Sequence, residues 1–307
     1  MKRLIASCSL LLAASLSAAA TPPATPAPFD VAVTVDDLSV HGPLPQGMRW
    51  AGIALSYIAT LKEHRVPQAW GFVNAKRIAQ QPASEAVLDE WRKAGYPLGN
   101  HTYSHLGLSQ APSLQAWIDD AVAGEPAVAA RMAGADWRVL RFPFLDGGAD
   151  QARHDGAAAW LAAHGYRIAD VSLSFDDWAY TDAYARCLDK GDQAAIAAMK
   201  DSYLKRVDAA IVRTRALSQR VYGRMIPQVL LTHLGAWSAV TLPEVMVRLD
   251  AAGARYVTLA RAQSDPAYAQ PGGGSLIARV AKEKGVTLTA DAAPGAAPQL
   301  DIKGLCR

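Results

Sequence analysis

Apolar positions along the chain follow two rhythms that alternate for most of its length. Seven short runs rich in Val, Leu, Ile and aromatics predict strands: 30–36 (DVAVTVD), 68–74 (QAWGFVN), 96–101, 138–144 (RVLRFPF), 166–174 (YRIADVSLS), 227–233 (PQVLLTH) and 254–260 (ARYVTLA). Ala-rich stretches between them carry helical spacing over 48–64, 83–94, 113–133, 151–164, 193–219 and 242–252, with one more helix over 275–284. A helix between successive strands implies parallel pairing, because a parallel crossover needs a connection of that size. Units of this kind approach a (β/α) barrel, or one left incomplete. An open doubly wound sheet is the competing architecture.

The two ends depart from this rhythm. Lys2 and Arg3 precede an apolar run from Leu4 to Leu16 and small residues from Ser17 to Ala20, the pattern of a secretory signal peptide over 1–20, cleaved after Ala20. The run is short for a membrane span. Ile5-Ala6-Ser7-Cys8 resembles a lipobox, but Cys8 stands too near the start to leave an apolar region before it. Export to the periplasm or beyond is therefore the expectation. Residues 21–29 (TPPATPAPF) read as an extended lead-in, since closely spaced prolines resist helix and sheet alike. A catalytic domain is expected over 30–262 and a C-terminal extension, ending rich in Gly, Ala and Pro, over 263–307.

Composition narrows the function. A chain of 307 residues, 51% hydrophobic and 19% charged, can build a large core. Without Lys2 and Arg3 the formal charge falls from +3 to +1, and the remaining basic residues are scattered, so nucleic acid is not an expected partner. Beyond the leader stand two cysteines, Cys187 and Cys306. In an oxidising compartment they either pair, tying the tail to the body, or remain free.

In parallel barrels the working residues sit at the C-terminal ends of strands. Asp36 and Asp37 end the first predicted strand and His101 the third; Arg141 lies late in the fourth, Asp177 follows the fifth and His233 closes the sixth. The stretch GNHTYSH sets His101 and His105 four residues apart. Two imidazoles and a carboxylate can hold a divalent cation with coordination positions open to solvent, and a second carboxylate beside them supplies a base. In continued extension Asp36 and Asp37 would point to opposite faces, so the strand must end or bend there for both to serve one site. The turn-like Val40-His41-Gly42-Pro43 segment permits that. Each residue also has an ordinary reading: a loop-capping Asp pair, loop or core histidines, a structural salt bridge for Arg141, a loop carboxylate for Asp177 beside a packed Trp178. Delivery of useful groups by five separate strand ends favours the functional one. His64, His154 and His164 lack such context and read as surface, whereas His41 reads as lining the site entrance.

In order along the chain, TVDD (34–37), HTYSH (101–105), RFPF (141–144), DW (177–178) and LLTH (230–233) resemble the motifs of polysaccharide deacetylases of carbohydrate esterase family 4, over roughly residues 30–262. The resemblance implies an α/β fold, a distorted (β/α)7 barrel, and a metal-dependent hydrolase that removes N-acetyl groups from peptidoglycan, chitin oligomers or an exopolysaccharide. By motif it implies that Asp37, His101 and His105 bind the metal, usually zinc. Asp36 would be the general base and His233 the acid that protonates the leaving amine. The backbone N–H of Phe144 would help hold the oxyanion, Arg141 would pair with Asp36, and Asp177 with His233. Trp178 and Trp237, with Tyr180, are expected to wall a sugar site. This chain departs from the pattern at Leu38, where glycine is usual, and at Phe144, where tyrosine is common. The long charged span from Trp178 to Ile226 is expected to cap the site. The alternatives are a metal-dependent amidohydrolase of a small non-sugar amide, an O-acetyl esterase on a glycan, and a non-catalytic carbohydrate-binding protein. The complete set of base, ligands and acid disfavours the last.

Overall fold

Val31, Val33, Val35, Leu38 and Val40 are all essentially inaccessible to solvent, so the strand that carries them, β1 (Phe29–His41), is covered on both faces. Burial on both faces is what a central strand of a parallel sheet requires. The computed structural model describes residues 27–288 and 300–307; the leader, with Cys8, and most of the Pro-rich lead-in lie outside the described residues.

After β1 come α1 (Trp50–Glu63), β2 (Ala69–Val73), α2 (Ala75–Gln80), α3 (Ala86–Lys93), β3 (Leu98–Asn100), α4 (Leu114–Ala129), β4 (Val139–Leu140) and α5 (Gln151–Ala163). The second half holds β5 (Arg167–Ile168), β6 (Leu173–Ser174), α6 (Thr181–Asp189), α7 (Gln193–Tyr222), β7 (Gln228–Gly235), α8 (Ala236–Ala251), β8 (Ala254–Val257), α9 (Leu259–Gln263) and α10 (Leu276–Glu283). The strands pair in parallel in the order β5-β4-β3-β2-β1-β7-β6. Seven strands with helices outside them make the distorted (β/α)7 barrel. The doubly wound alternative is excluded. Strand β8 pairs with the start of β1, from Phe29 to Ala32, on the edge that β2 occupies further along.

The predicted strand over 166–174 is instead two short strands. The Ala169 N–H still donates to Leu140 in β4, but the Ser172 N–H donates to Val229 in β7. The chain thus changes partner within four residues and turns the corner between the two ends of the sheet. The barrel is closed there by backbone continuity rather than by a ladder. A strap from Gly272 to Leu276 covers this seam: Gly272 N–H donates to the Asp170 carboxylate, Ser275 bridges Val171, and Leu276 N–H donates to the Val171 carbonyl. The strap reaches the seam because it crosses Gly147 backbone to backbone. A β-carbon on Gly273 would overlap the Gly147 nitrogen.

The span from Trp178 to Ile226 is not a cap over the site. Its helices α6 and α7 belong to the outer layer, where both pack on α8. Met199, Tyr203, Val207 and Ile211 recur every four residues and are all buried, the stripe expected of a helix seated on a core. Asp192 caps α7 by accepting from the Ala195 N–H, and Gly223, at φ +69°, ends it in the left-handed conformation that glycine adopts freely. Helix α8 begins earlier than its predicted 242–252 and runs through Pro243, because its first turns bury Trp237, Ala239 and Leu242. Among the described residues, no helix is long and apolar enough to cross a membrane.

Cys187 and Cys306 form a disulfide. It anchors residues 300–307 to α6, where Arg186 also donates to the Leu305 and Lys303 carbonyls. The bridge spans 119 residues, so loop-closure entropy sets its contribution at about 4–5 kcal/mol. Replacing both cysteines with serine should lower the urea-denaturation free energy by about that amount and leave the far-ultraviolet circular dichroism unchanged.

Candidate metal centre and its flanking acid and base

Strand β1 does bend where two adjacent carboxylates must share one face. Asp37 has φ +61°, and the register slips against β2 between Val35 and Leu38 and against β7 between Asp36 and His41. A left-handed non-glycine residue costs about 1–2 kcal/mol. Two short hydrogen bonds hold it: Asn74 donates to Asp37 Oδ1 at 2.7 Å, and His41 Nδ1 lies 2.6 Å from Oδ2. Asp36 and Asp37 consequently line the same pocket, a cavity of about 450 Å³ at the C-terminal ends of the strands.

His101 follows β3 directly. Its Nδ1 lies 2.8 Å from the Arg141 carbonyl, which can only accept, so Nδ1 carries the proton and Nε2 presents a lone pair to the pocket. Asp37 Oδ1 stands 3.7 Å from that Nε2 and 3.5 Å from Nε2 of His105. One ligand atom from each of Asp37, His101 and His105 falls within 4.8 Å of the others. Zinc bonds of about 2.0–2.1 Å at a tetrahedral centre put ligands roughly 3.3 Å apart, so the donor set fits such an ion with little adjustment. Burial, reinforced by the neighbouring His101, pushes His105 down to about 4, which leaves it neutral and able to ligate at physiological pH. Burial opposes ionisation of Asp37, yet the His41 hydrogen bond and the surrounding imidazoles hold its carboxyl well below the usual range.

The donors are flanked on two sides. On one, the fully buried Arg141 places Nη1 3.2 Å from both Asp36 oxygens, while Nη2 donates to Thr34 Oγ1 at 2.8 Å and Nε to the Ala169 carbonyl at 2.6 Å. Its guanidinium also lies over the Phe72 ring. On the other, His233 Nδ1 donates to Asp177 Oδ1 at 2.8 Å, and Asp177 Oδ2 accepts from the His233 backbone and from Ser238 Oγ. Burial lowers the His233 pKa, but Asp177 outweighs it and the pKa rises to about 9. The imidazole is a cation at neutral pH, with Nε2 left to deliver a proton. Asp36 and His233 sit side by side in the β1–β7 register.

Phe144 and Trp178 line the pocket, more than half exposed, and Phe144 packs its ring against His105. Trp237 does not line it. It is fully buried in the first turn of α8, stacked parallel to Tyr180 and edge-on to Tyr203, so it is core and no sugar can reach it. Tyr180 is buried with it. Sequence reasoning missed the supports of the site: Asn74, Ser238, Thr34 and the bond from His41 to Asp37. Asn74 directly follows β2, where the strand-end rule that found His101 would have found it too.

Comparison with known proteins bears on the fold. Residues 24–169 match the family model for polysaccharide deacetylase. The fold is shared with a carbohydrate esterase family 4 member from Streptococcus mutans (16% identity, 75% of this chain and 85% of that one, TM-score 0.51). It is shared with a polysaccharide deacetylase from Bacillus cereus (14% identity, 75% and 91% covered, TM-score 0.50). A family 4 pseudoenzyme from Bacillus anthracis also has it (14% identity, 77% and 66% covered, TM-score 0.51). No curated protein sequence matches the chain. Residues 24–169 thus resemble the polysaccharide deacetylase family, and the chain has the fold seen in carbohydrate esterase family 4. The matched residues end at 169, so Asp177 and His233 are placed by the structure alone.

The folded-state pKa of His233, about 9, lies above its ordinary 6.5. Stabilisation from the Asp177 pair is therefore complete below about pH 6.5 and is lost as pH rises through 9. In metal-free protein, Asp177→Asn should lower the His233 imidazole titration, followed by NMR, because burial is then opposed only by the weaker pull of Asp37 and Asp36. A titration unmoved from 9 would mean that Asp177 does not set it.

Proposed function

We propose that the protein is an exported, metal-dependent hydrolase that removes N-acetyl groups from an acetylated glycan. One observation carries the reading: Asp37, His101 and His105 converge within ligand distance, with Asp36–Arg141 on one side and Asp177–His233 on the other. A divalent cation on those three donors, zinc by the chemistry of the set, would supply Lewis acidity to the amide carbonyl and lower the pKa of bound solvent.

The protein's own groups do the rest. Asp36, oriented by Arg141, takes a proton from the attacking water. His233 gives its Nε2 proton to the departing nitrogen, without which an amide nitrogen leaves poorly. Asp177 accepts from Nδ1 and favours the charged imidazole, which keeps the Nε2 proton available for this donation. The Phe144 backbone N–H is the proposed donor to the carbonyl oxygen as it gains charge. Phe144 and Trp178 offer apolar faces at the pocket mouth on which a sugar ring can lie. Export is supported by the leader-like N-terminal sequence and by the Cys187–Cys306 bond, which an oxidising compartment preserves.

Acetate release from N-acetylated glycans, with O-acetylated xylan as the ester control, tests the reading. Chelator should abolish release and added zinc restore it. Asp36→Asn should still bind zinc but lose activity by about 10²–10⁴-fold, whereas His101→Ala should lose zinc itself. Unchanged turnover in Asp36→Asn would remove Asp36 as the base.

A further inference from the structure

The pocket that gathers base, acid and metal donors is larger than an acetyl group needs. Its volume is about 450 Å³, whereas an apolar cavity of about 150 Å³ already admits benzene. Away from the ionisable groups its walls are Leu145, Val171, Leu173 and Leu231, with Ser275 of the strap on the seam side. Apart from the exposed Ser275, the polar groups along this stretch are already engaged. Ser172 Oγ contacts the Tyr268 hydroxyl and accepts from the Val229 N–H, Ser174 Oγ accepts from the Asp176 N–H, and the Asp176 carboxylate pairs with Arg206. A pyranose placed here would bury several hydroxyls without partners, at about 1–3 kcal/mol each. A hydrocarbon chain meets no such cost. The exposed faces of Phe144 and Trp178 stand at the mouth, so sugar outside and acyl chain inside satisfies both surfaces.

We propose that this chamber binds the acyl group of the substrate, and that the enzyme releases medium-length acyl chains rather than acetyl alone. The proposal rests on the deacylase reading above and specifies its substrate. The reaction is the same hydrolysis. The C–N bond breaks, the acyl carbon gains the oxygen of water and leaves as a carboxylate, and the nitrogen leaves as an amine carrying the proton from His233. Ser275 sets the length of chain that fits. It precedes α10, is exposed, and its side chain makes no capping bond, so a larger side chain there fills the chamber without disturbing the fold.

The product carboxylates test this directly. Acetate, butyrate, hexanoate and octanoate are titrated calorimetrically into the zinc-loaded protein. The expected dissociation constant falls about three- to fourfold per added methylene through hexanoate, the roughly 0.8 kcal/mol of burying one CH₂. Ser275→Phe should remove the gain beyond butyrate. A series that is flat from acetate onward, or a graded series that Ser275→Phe leaves unchanged, overturns the chamber assignment. A parallel set of N-acyl glucosamines separates the two claims. Release of acetate alone with a flat carboxylate series overturns the chamber and leaves deacetylation standing. A graded series with no acyl group released overturns the hydrolytic reading and leaves the acyl site standing.

Discussion

A guanidinium buried wholly inside a barrel must have its donors met, because a stranded charge there costs several kcal/mol. Arg141 is met from β1, where Asp36 and Thr34 accept, and from the corner after β5, where the Ala169 carbonyl accepts. Its backbone works as hard as its side chain. The amide donates to Asn100 and the carbonyl holds His101. One residue therefore ties the proposed base, a metal donor and the barrel seam into a single unit. Removing either the carboxylate or the cation would leave the other unpaired in the interior, at a cost of several kcal/mol in stability.

This coupling explains why so much of the site was legible in sequence. Groups that must meet at one end of a parallel barrel have to sit at strand ends, and strand ends are visible as the last residues of apolar runs. Asp36, Asp37, His101, Arg141 and His233 all stood there; the structure brings four of them to one pocket and sets Arg141 directly behind Asp36. The need for β1 to bend at the aspartates was also readable from side-chain alternation, and Asp37 at φ +61° is that bend. The supports were harder to see. Ser238 enters from the first turn of a helix, and His41 reaches Asp37 only because the strand is distorted between them. Neither follows from a regular period.

The errors have a common physical origin. Trp237 lies four residues after His233, close enough in sequence to pass for a sugar platform, but a helix start turns it inward against Tyr180 and Tyr203. The span after Trp178 read as a cap because it is long and carries charges along its whole length. The buried stripe of α7 is only one residue in four and is diluted by its exposed faces. The split strand over 166–174 escaped notice because both halves are apolar, and only hydrogen-bond partners distinguish a straight run from a corner.

Gly147 and Gly273, which meet without a side chain between them, carry no chemistry of their own. Yet the strap can lie on the seam only while both remain bare. Vulnerability to substitution is therefore not confined to the ionisable residues. One methyl group at this crossing would act as a wedge, lifting Ser275 and reopening the side of the vessel that the rest of the barrel leaves unfinished.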